Sequence, residues 1–185
     1  MLRDILIKTT EQKILSLFAA SPDRSFYGRE ISKKTKLSLG AVSNALGLLE
    51  KKGLLTSERK GKTNLYILKP SNPYVEYFKI LNSLLMLEPL IDKIKNIARR
   101  IILYGSYADG TFDSDSDIDL FIVSEKREEV LKLIENFRVG RIIDIRPVIK
   151  KQTELMRLEK TNSEFFNELN RGITLWEKPI NESGF

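Results

Sequence analysis

At 185 residues, 42% hydrophobic and 30% charged, the chain can bury one or two cores, and no stretch approaches the roughly 18 apolar residues of a membrane span. With no cysteine and no histidine, disulfides and thiolate chemistry are excluded, and any metal must take oxygen ligands, which favours Mg²⁺, Mn²⁺ or Ca²⁺ over Zn²⁺. The net charge of +6 is uneven: residues 1–97 carry 17 Lys/Arg against 9 Asp/Glu, and residues 98–185 carry 14 against 16, a split that suggests a nucleic-acid-facing half joined to a half with other work.

Met1 to Lys8 lacks the long apolar core of a secretory leader, so a cytoplasmic chain is expected. Thr10 to Ala20 places Ile14, Leu15, Leu17 and Phe18 on one helical face, with Pro22 beyond it. A second short helix fits Gly28 to Lys36, with Ile31 inward and Lys33, Lys34 and Lys36 outward. Leu37-Ser38-Leu39 is the turn into a third helix, Leu39 to Lys52, with Val42, Leu46 and Leu49 inward and Gly53 in a C′ position. Leu54 to Glu58 and Thr63 to Leu68 then read as a hairpin turning at Arg59-Lys60-Gly61-Lys62. Three helices followed by a basic-tipped hairpin resemble the winged helix-turn-helix of bacterial and archaeal regulators. That resemblance implies DNA binding, with the third helix in the major groove and the wing on the backbone. Ser38, Ser43 and Asn44 on the third helix, and Lys60 and Lys62 at the wing tip, are the candidate contacts. The third helix has no arginine, so strong base readout is not expected of it.

Pro70 to Pro73 breaks the chain, with Asn72 as N-cap and Pro73 at N1 of a helix from Tyr74 to Leu87. Pro89 is expected to start another short helix through Ala98. Apolar residues on more than one face suggest burial between domains or across a homodimer.

The second half opens on a strand, Ile101 to Tyr104, which runs into Gly105-Ser106. Glycine there allows close backbone approach to a phosphate, and serine adds donors. A second strand begins at Ser116-Asp117, and a period of two puts Asp117, Asp119 and Phe121 on one face. Two carboxylates so placed repel unless a cation lies between them. Asp113-Ser-Asp115-Ser-Asp117 does not make an EF-hand loop, because Ile118 and Ser124 stand at its sixth and twelfth positions. Asp109, Asp113 and Asp115 read as turn residues. A helix is expected from Glu125 to Phe137, a turn at Gly140, and a third strand from Arg141 to Val148 carrying Asp144. If that strand lies beside the second, Asp144 can join Asp117 and Asp119. Helices at Gln152 to Glu159 and Asn162 to Arg171, a stop at Gly172 and a strand from Ile173 to Glu177 complete the chain. Trp176 reads as core.

Gly105-Ser106, ten residues, then Asp117-Ile118-Asp119 resembles the signature of minimal nucleotidyltransferases of the DNA polymerase β-like superfamily, with Asp144 at the place of that superfamily's third carboxylate. The resemblance implies transfer of a nucleoside monophosphate from an NTP to an acceptor hydroxyl. It makes Asp117, Asp119 and Asp144 the catalytic and metal-binding residues for Mg²⁺ or Mn²⁺, and Gly105 and Ser106 the nucleotide-binding ones. It also admits a protein acceptor such as a partner toxin. Free-standing antitoxins of the family often carry a basic residue where Asp109 stands here. The expected fold is α+β: a winged helix-turn-helix over residues 1–69, a helical linker over 70–98, and a nucleotidyltransferase domain with a small mixed sheet over 99–185. The alternative function is a transcriptional regulator whose second domain senses nucleotide without turnover. Polymerase-like terminal transfer is disfavoured, since no residues remain for fingers or a thumb.

Overall fold

The computed structural model describes residues 1–137 and 144–179. The turn expected at Gly140 and the strand start expected at Arg141 to Ile143 lie outside the described residues. Contacts divide the chain into two units, Met1–Leu85 with Gly110–Asp115, and Met86–Asp109 with Ser116–Phe185.

The first unit opens with α1 (Leu2–Leu6) and α2 (Thr10–Ala19). Thr9 and Gln12 form a reciprocal capping box at the start of α2, satisfying two backbone donors that a helix end leaves open. A two-residue strand β1 (Phe26–Tyr27) leads into α3 (Gly28–Thr35), which Lys36 closes in the left-handed region at φ 59°. The Ser38 hydroxyl then accepts the Ala41 N–H and caps α4 (Leu39–Lys51). Gly53, at φ 69°, turns the chain out of α4 as its C′ position demands. The hairpin β2 (Leu55–Lys60) and β3 (Thr63–Leu68) pairs in antiparallel register from Leu55↔Leu68 to Lys60↔Thr63, and β1 adds to the far side of β3. Ile14, Phe18, Phe26, Ile31, Val42, Leu46, Leu49 and Leu55 form the core, with Phe18 and Phe26 edge to face at 5.2 Å. Helix-turn-helix and wing therefore fold as the apolar spacing predicts.

Asn72 caps α5 (Pro73–Ile94) by accepting the Tyr74 N–H. The break expected at Pro89 does not occur, for α5 continues through it to Ile94. An interior proline costs a helix about 3 kcal/mol. Leu85, Leu87, Leu90 and Ile94 are all buried, and at about 1.5–3 kcal/mol per buried side chain their burial outweighs the lost hydrogen bond. In the first unit α5 also presents Lys79, a buried lysine whose Nζ donates to the Phe112 carbonyl at 2.5 Å and lies 4.3 Å from the Phe112 ring. Asp23 accepts the Ser114 N–H at 2.7 Å. Gly110, at φ 76°, comes so near the Glu76 carbonyl that a Cβ would stand 2.6 Å from it. These contacts explain why 110–115 belongs with the first unit.

The second unit is built on β4 (Arg100–Tyr104), α6 (Ser106–Asp109), β5 (Ile118–Val123), α7 (Arg127–Glu135), β6 (Ile145–Lys150), α8 (Gln152–Thr161), α9 (Ser163–Arg171) and β7 (Ile173–Glu177). The sheet order is β6-β5-β4-β7, with β5 parallel to β6 and antiparallel to β4, and β7 antiparallel to β4. This is the small mixed sheet of the α+β expectation. One face packs Ile102, Tyr104, Phe121 and Val123 on Leu158 of α8 and Leu169 of α9. The other face carries Ile101, Leu103, Ile118, Leu120 and Ile122, all buried, so β5 reads as a continuous apolar run after Asp119, as a strand covered on both sides must. Trp176 pairs with Ile101 in register and is half-buried. Among the described residues, no helix is long and apolar enough to cross a membrane.

Candidate functional site

The site forms where β4 ends and β5 and β6 begin. The antiparallel register sets Tyr104 opposite Asp119, so the turn after β4 lies beside the first acids of β5. Gly105 adopts φ 67°, and a Cβ built on it would stand 2.8 Å from Asp119 Oδ2. No residue with a side chain fits there without moving that carboxylate. The Gly105 carbonyl accepts the N–H groups of Ala108 and Asp109, folding Ser106 directly into α6. Asp113 Oδ1 accepts the Asp115 N–H, a turn contact of the kind expected for the loop acids.

The parallel register Ile118↔Ile145 and Asp119↔Arg146 sets Asp144 alongside Asp117 and Arg146 alongside Asp119. Asp119 and Arg146 share one face as register partners, the Arg146–Asp117 contact brings Asp117 to it, and Asp144 stands one residue ahead of β6. The Ile118 N–H donates to the Asp144 carbonyl at 2.9 Å, fixing the start of the pairing. Asp117 and Asp119 are half-buried, whereas Asp144 is exposed. Among the described residues, no group of three acidic side chains is close enough to hold a metal ion by itself. Asp117 and Asp119 nonetheless offer a hard cation two carboxylates on one face, with glycine backing one of them. Such a donor set suits Mg²⁺ or Mn²⁺ once phosphate oxygens complete it.

Electrostatics at the pair are uneven. Burial pushes the Asp119 carboxyl above its ordinary value, the Arg146 guanidinium draws it back down, and the Asp117 charge raises it again. Burial also lifts the Tyr104 hydroxyl to about 12, helped by the charges of Asp119 and Glu168, so it stays protonated. The Arg146 Nη2 lies 2.5 Å from Asp117 Oδ2. Arg146 carried no motif in the sequence, and only the register of β6 could reveal it.

On the first unit, Ser43 and Asn44 are exposed on α4, while the Ser38 oxygen caps the helix. Lys60 and Lys62 are exposed at the wing tip, with Lys60 3.8 Å from Glu58. A groove of about 690 Å³ runs between α3, α4 and β3, lined among others by Tyr27, Arg29, Ser43, Lys62, Asn64 and Tyr66. Arg29 and Asn64 were not singled out from the sequence, because neither stands in the third helix or at the wing tip.

A family model described as a nucleotidyltransferase domain matches residues 87–170. A relative from Methanocaldococcus jannaschii, named as a candidate protein adenylyltransferase, is 32% identical over 66 residues, covering 32% of this chain and 67% of its own. Among solved structures, reduced HlyU from Vibrio cholerae N16961 is similar at 26% identity and a TM-score of 0.35, over 48% of this chain and 83% of that one. The adhesin competence repressor AdcR of Streptococcus pyogenes matches at 19% identity and a TM-score of 0.37, over 50% and 72% of the two chains.

Proposed function

The chain belongs to the nucleotidyltransferase domain family, and from that premise we propose that it transfers a nucleoside monophosphate from an NTP to an acceptor hydroxyl, with Mg²⁺ or Mn²⁺. The observation that carries this reading is the Asp117–Asp119 pair backed by a glycine with no room for a side chain. Asp117 and Asp119 would hold the divalent ion, which when bound would supply charge neutralisation at the phosphates. Gly105 and Ser106 receive the β- and γ-phosphates through backbone and hydroxyl donors. Asp144, exposed and with its carbonyl bonded to the Ile118 N–H beside Asp117, accepts the proton of the attacking hydroxyl. The acceptor oxygen bonds to the α-phosphorus, the bond from that phosphorus to the α,β-bridging oxygen breaks, and pyrophosphate leaves with the electron pair. Positioning and charge account for most of such catalysis, so few side chains suffice.

The name of the archaeal relative favours ATP as donor and a protein as acceptor, which suits an antitoxin-like role toward a partner toxin. Incubation with labelled ATP, GTP, CTP or UTP, Mg²⁺ and protein acceptors should label the acceptor. No transfer by the wild type, or equal transfer by Asp117→Ala, would falsify the enzyme reading.

A regulatory reading accompanies it, favoured by the winged helix-turn-helix of the first unit and its basic wing. In this reading Ser43, Asn44, Lys60 and Lys62 meet DNA, Ser38 presents the helix start, and the protein acts on transcription as a homodimer. A regulator that only senses nucleotide would bind NTP with Mg²⁺, change its DNA affinity and form no product. Quantifying pyrophosphate release alongside DNA binding separates the two.

A further inference from the structure

Among the described residues, Arg146 is the cation that the sheet places directly on the acidic pair, and its setting differs from that of an ordinary surface ion pair. Its Nη2 contacts Asp117 at 2.5 Å, yet the arginine side chain keeps 74% of its surface exposed while Asp117 keeps 21%. The contact anchors only the tip of a long side chain. Arg146 also faces Asp119 in register, and its charge reaches that carboxylate too. A guanidinium here neutralises part of the repulsion between two acids two residues apart.

A divalent cation on Asp117 and Asp119 changes this balance. It would draw on the Asp117 carboxylate that Arg146 contacts, and its charge would repel the guanidinium. The Arg146 side chain is mostly exposed, so water can solvate the guanidinium when it leaves Asp117. The triphosphate that arrives with the metal brings fresh anionic oxygens to the same end of the sheet, and a planar guanidinium matches a phosphate with two parallel donors.

Resting on the nucleotidyl-transfer reading, we propose that Arg146 and the metal compete for Asp117, and that the displaced Arg146 becomes a triphosphate-binding residue. It thereby disfavours metal binding without nucleotide and favours metal and nucleotide together. Lysine at this position would keep the competition and lose the two-pronged phosphate contact.

The proposal makes opposite-signed predictions, which a merely structural ion pair does not. In the full chain, Arg146→Met should tighten nucleotide-free Mn²⁺ binding, read by electron paramagnetic resonance, by roughly five-fold. The same variant should weaken binding of a fluorescent ATP analogue at saturating Mg²⁺ by roughly ten-fold. Arg146→Lys should keep wild-type Mn²⁺ affinity and still lose nucleotide affinity. The side chain is largely exposed, so thermal melts should change little, and Arg146→Gln provides a second neutral variant should Met aggregate. Shifts of the same sign in both assays, or no shift in either, overturn the proposal. A wild type that binds Mn²⁺ and nucleotide while all variants behave like it refutes the role of Arg146 alone. A wild type that binds neither ligand refutes the transferase reading and this inference with it.

Discussion

Gly105→Ala probes the closest approach in the site. The native residue sits at φ 67°, and an added Cβ would meet Asp119 Oδ2 at 2.8 Å. Two costs arise. The left-handed backbone conformation costs a residue with a Cβ about 1–2 kcal/mol. The contact must also open by roughly half an ångström to reach ordinary packing, which moves the Asp119 carboxylate. The backbone cost alone should lower the melting temperature by about 4–8 °C per kcal/mol if the second unit of the chain melts as a small domain. Metal and nucleotide affinity should fall further, because misplacing a positioned group by as much as 1 Å can cost about 100-fold in rate. A double-mutant cycle separates the terms. In an Asp119→Ala background the carboxylate is gone, so Gly105→Ala should retain only its backbone cost. The coupling between the two positions should therefore be at least about 0.5 kcal/mol. Calorimetric melts of the four proteins, with Mn²⁺ titrations of wild type and Gly105→Ala, give the answer. Additive melting shifts, together with unchanged Mn²⁺ affinity in Gly105→Ala, would refute the claim that glycine is needed for its fit against Asp119.

Three further outcomes follow from the same geometry. Because burial first, and Asp117 after the opposing pull of Arg146, hold the Asp119 carboxyl above its ordinary 3.8, the folded state favours its protonated form. That contribution to stability is fully present below pH 3.8 and is lost as the pH rises through the folded value. Asp119→Asn should thus gain stability relative to wild type as pH increases across that window while losing Mn²⁺ affinity, and a stability difference that does not change with pH there contradicts this. Replacing Lys60 and Lys62 together by Ala should weaken DNA binding across all sequences and reduce the salt slope by about 2, as two lost phosphate contacts would; an unchanged slope removes the wing from the interface. Ser38→Ala should cost about 1 kcal/mol of stability through its lost cap. A melt identical to wild type, with DNA affinity reduced, would show a direct contact instead.

The elements of the first unit could be read from spacing because its helices bury one face each: Ile14, Phe18, Ile31, Val42 and Leu46 recur at helical intervals, and all are in its core. Pro89 misled for the opposite reason. Local rules stop a helix before proline, but buried residues on both sides of it, Leu87 and Leu90, hold α5 together. Asn72 and Gly53 were legible because caps are set by a few bonds close in sequence. The sequence could not divide the loop between Ser106 and Asp117, since Lys79 and Asp23 reach it from far along the chain.

At the site, residue types and spacing alone determined that Gly105-Ser106 and Asp117-x-Asp119 belong together. They also restricted any metal to oxygen ligands, because the chain has neither histidine nor cysteine. Tertiary structure decided what surrounds those acids. The parallel register of β5 and β6 brought Arg146 to their face, and the antiparallel register of β4 and β5 set Gly105 against Asp119. Strand register depends on pairing between distant segments, with an offset of one residue turning a side chain to the opposite face. A linear pattern can place an acid on a strand, but only the neighbouring strand decides whether a second acid or an arginine stands beside it.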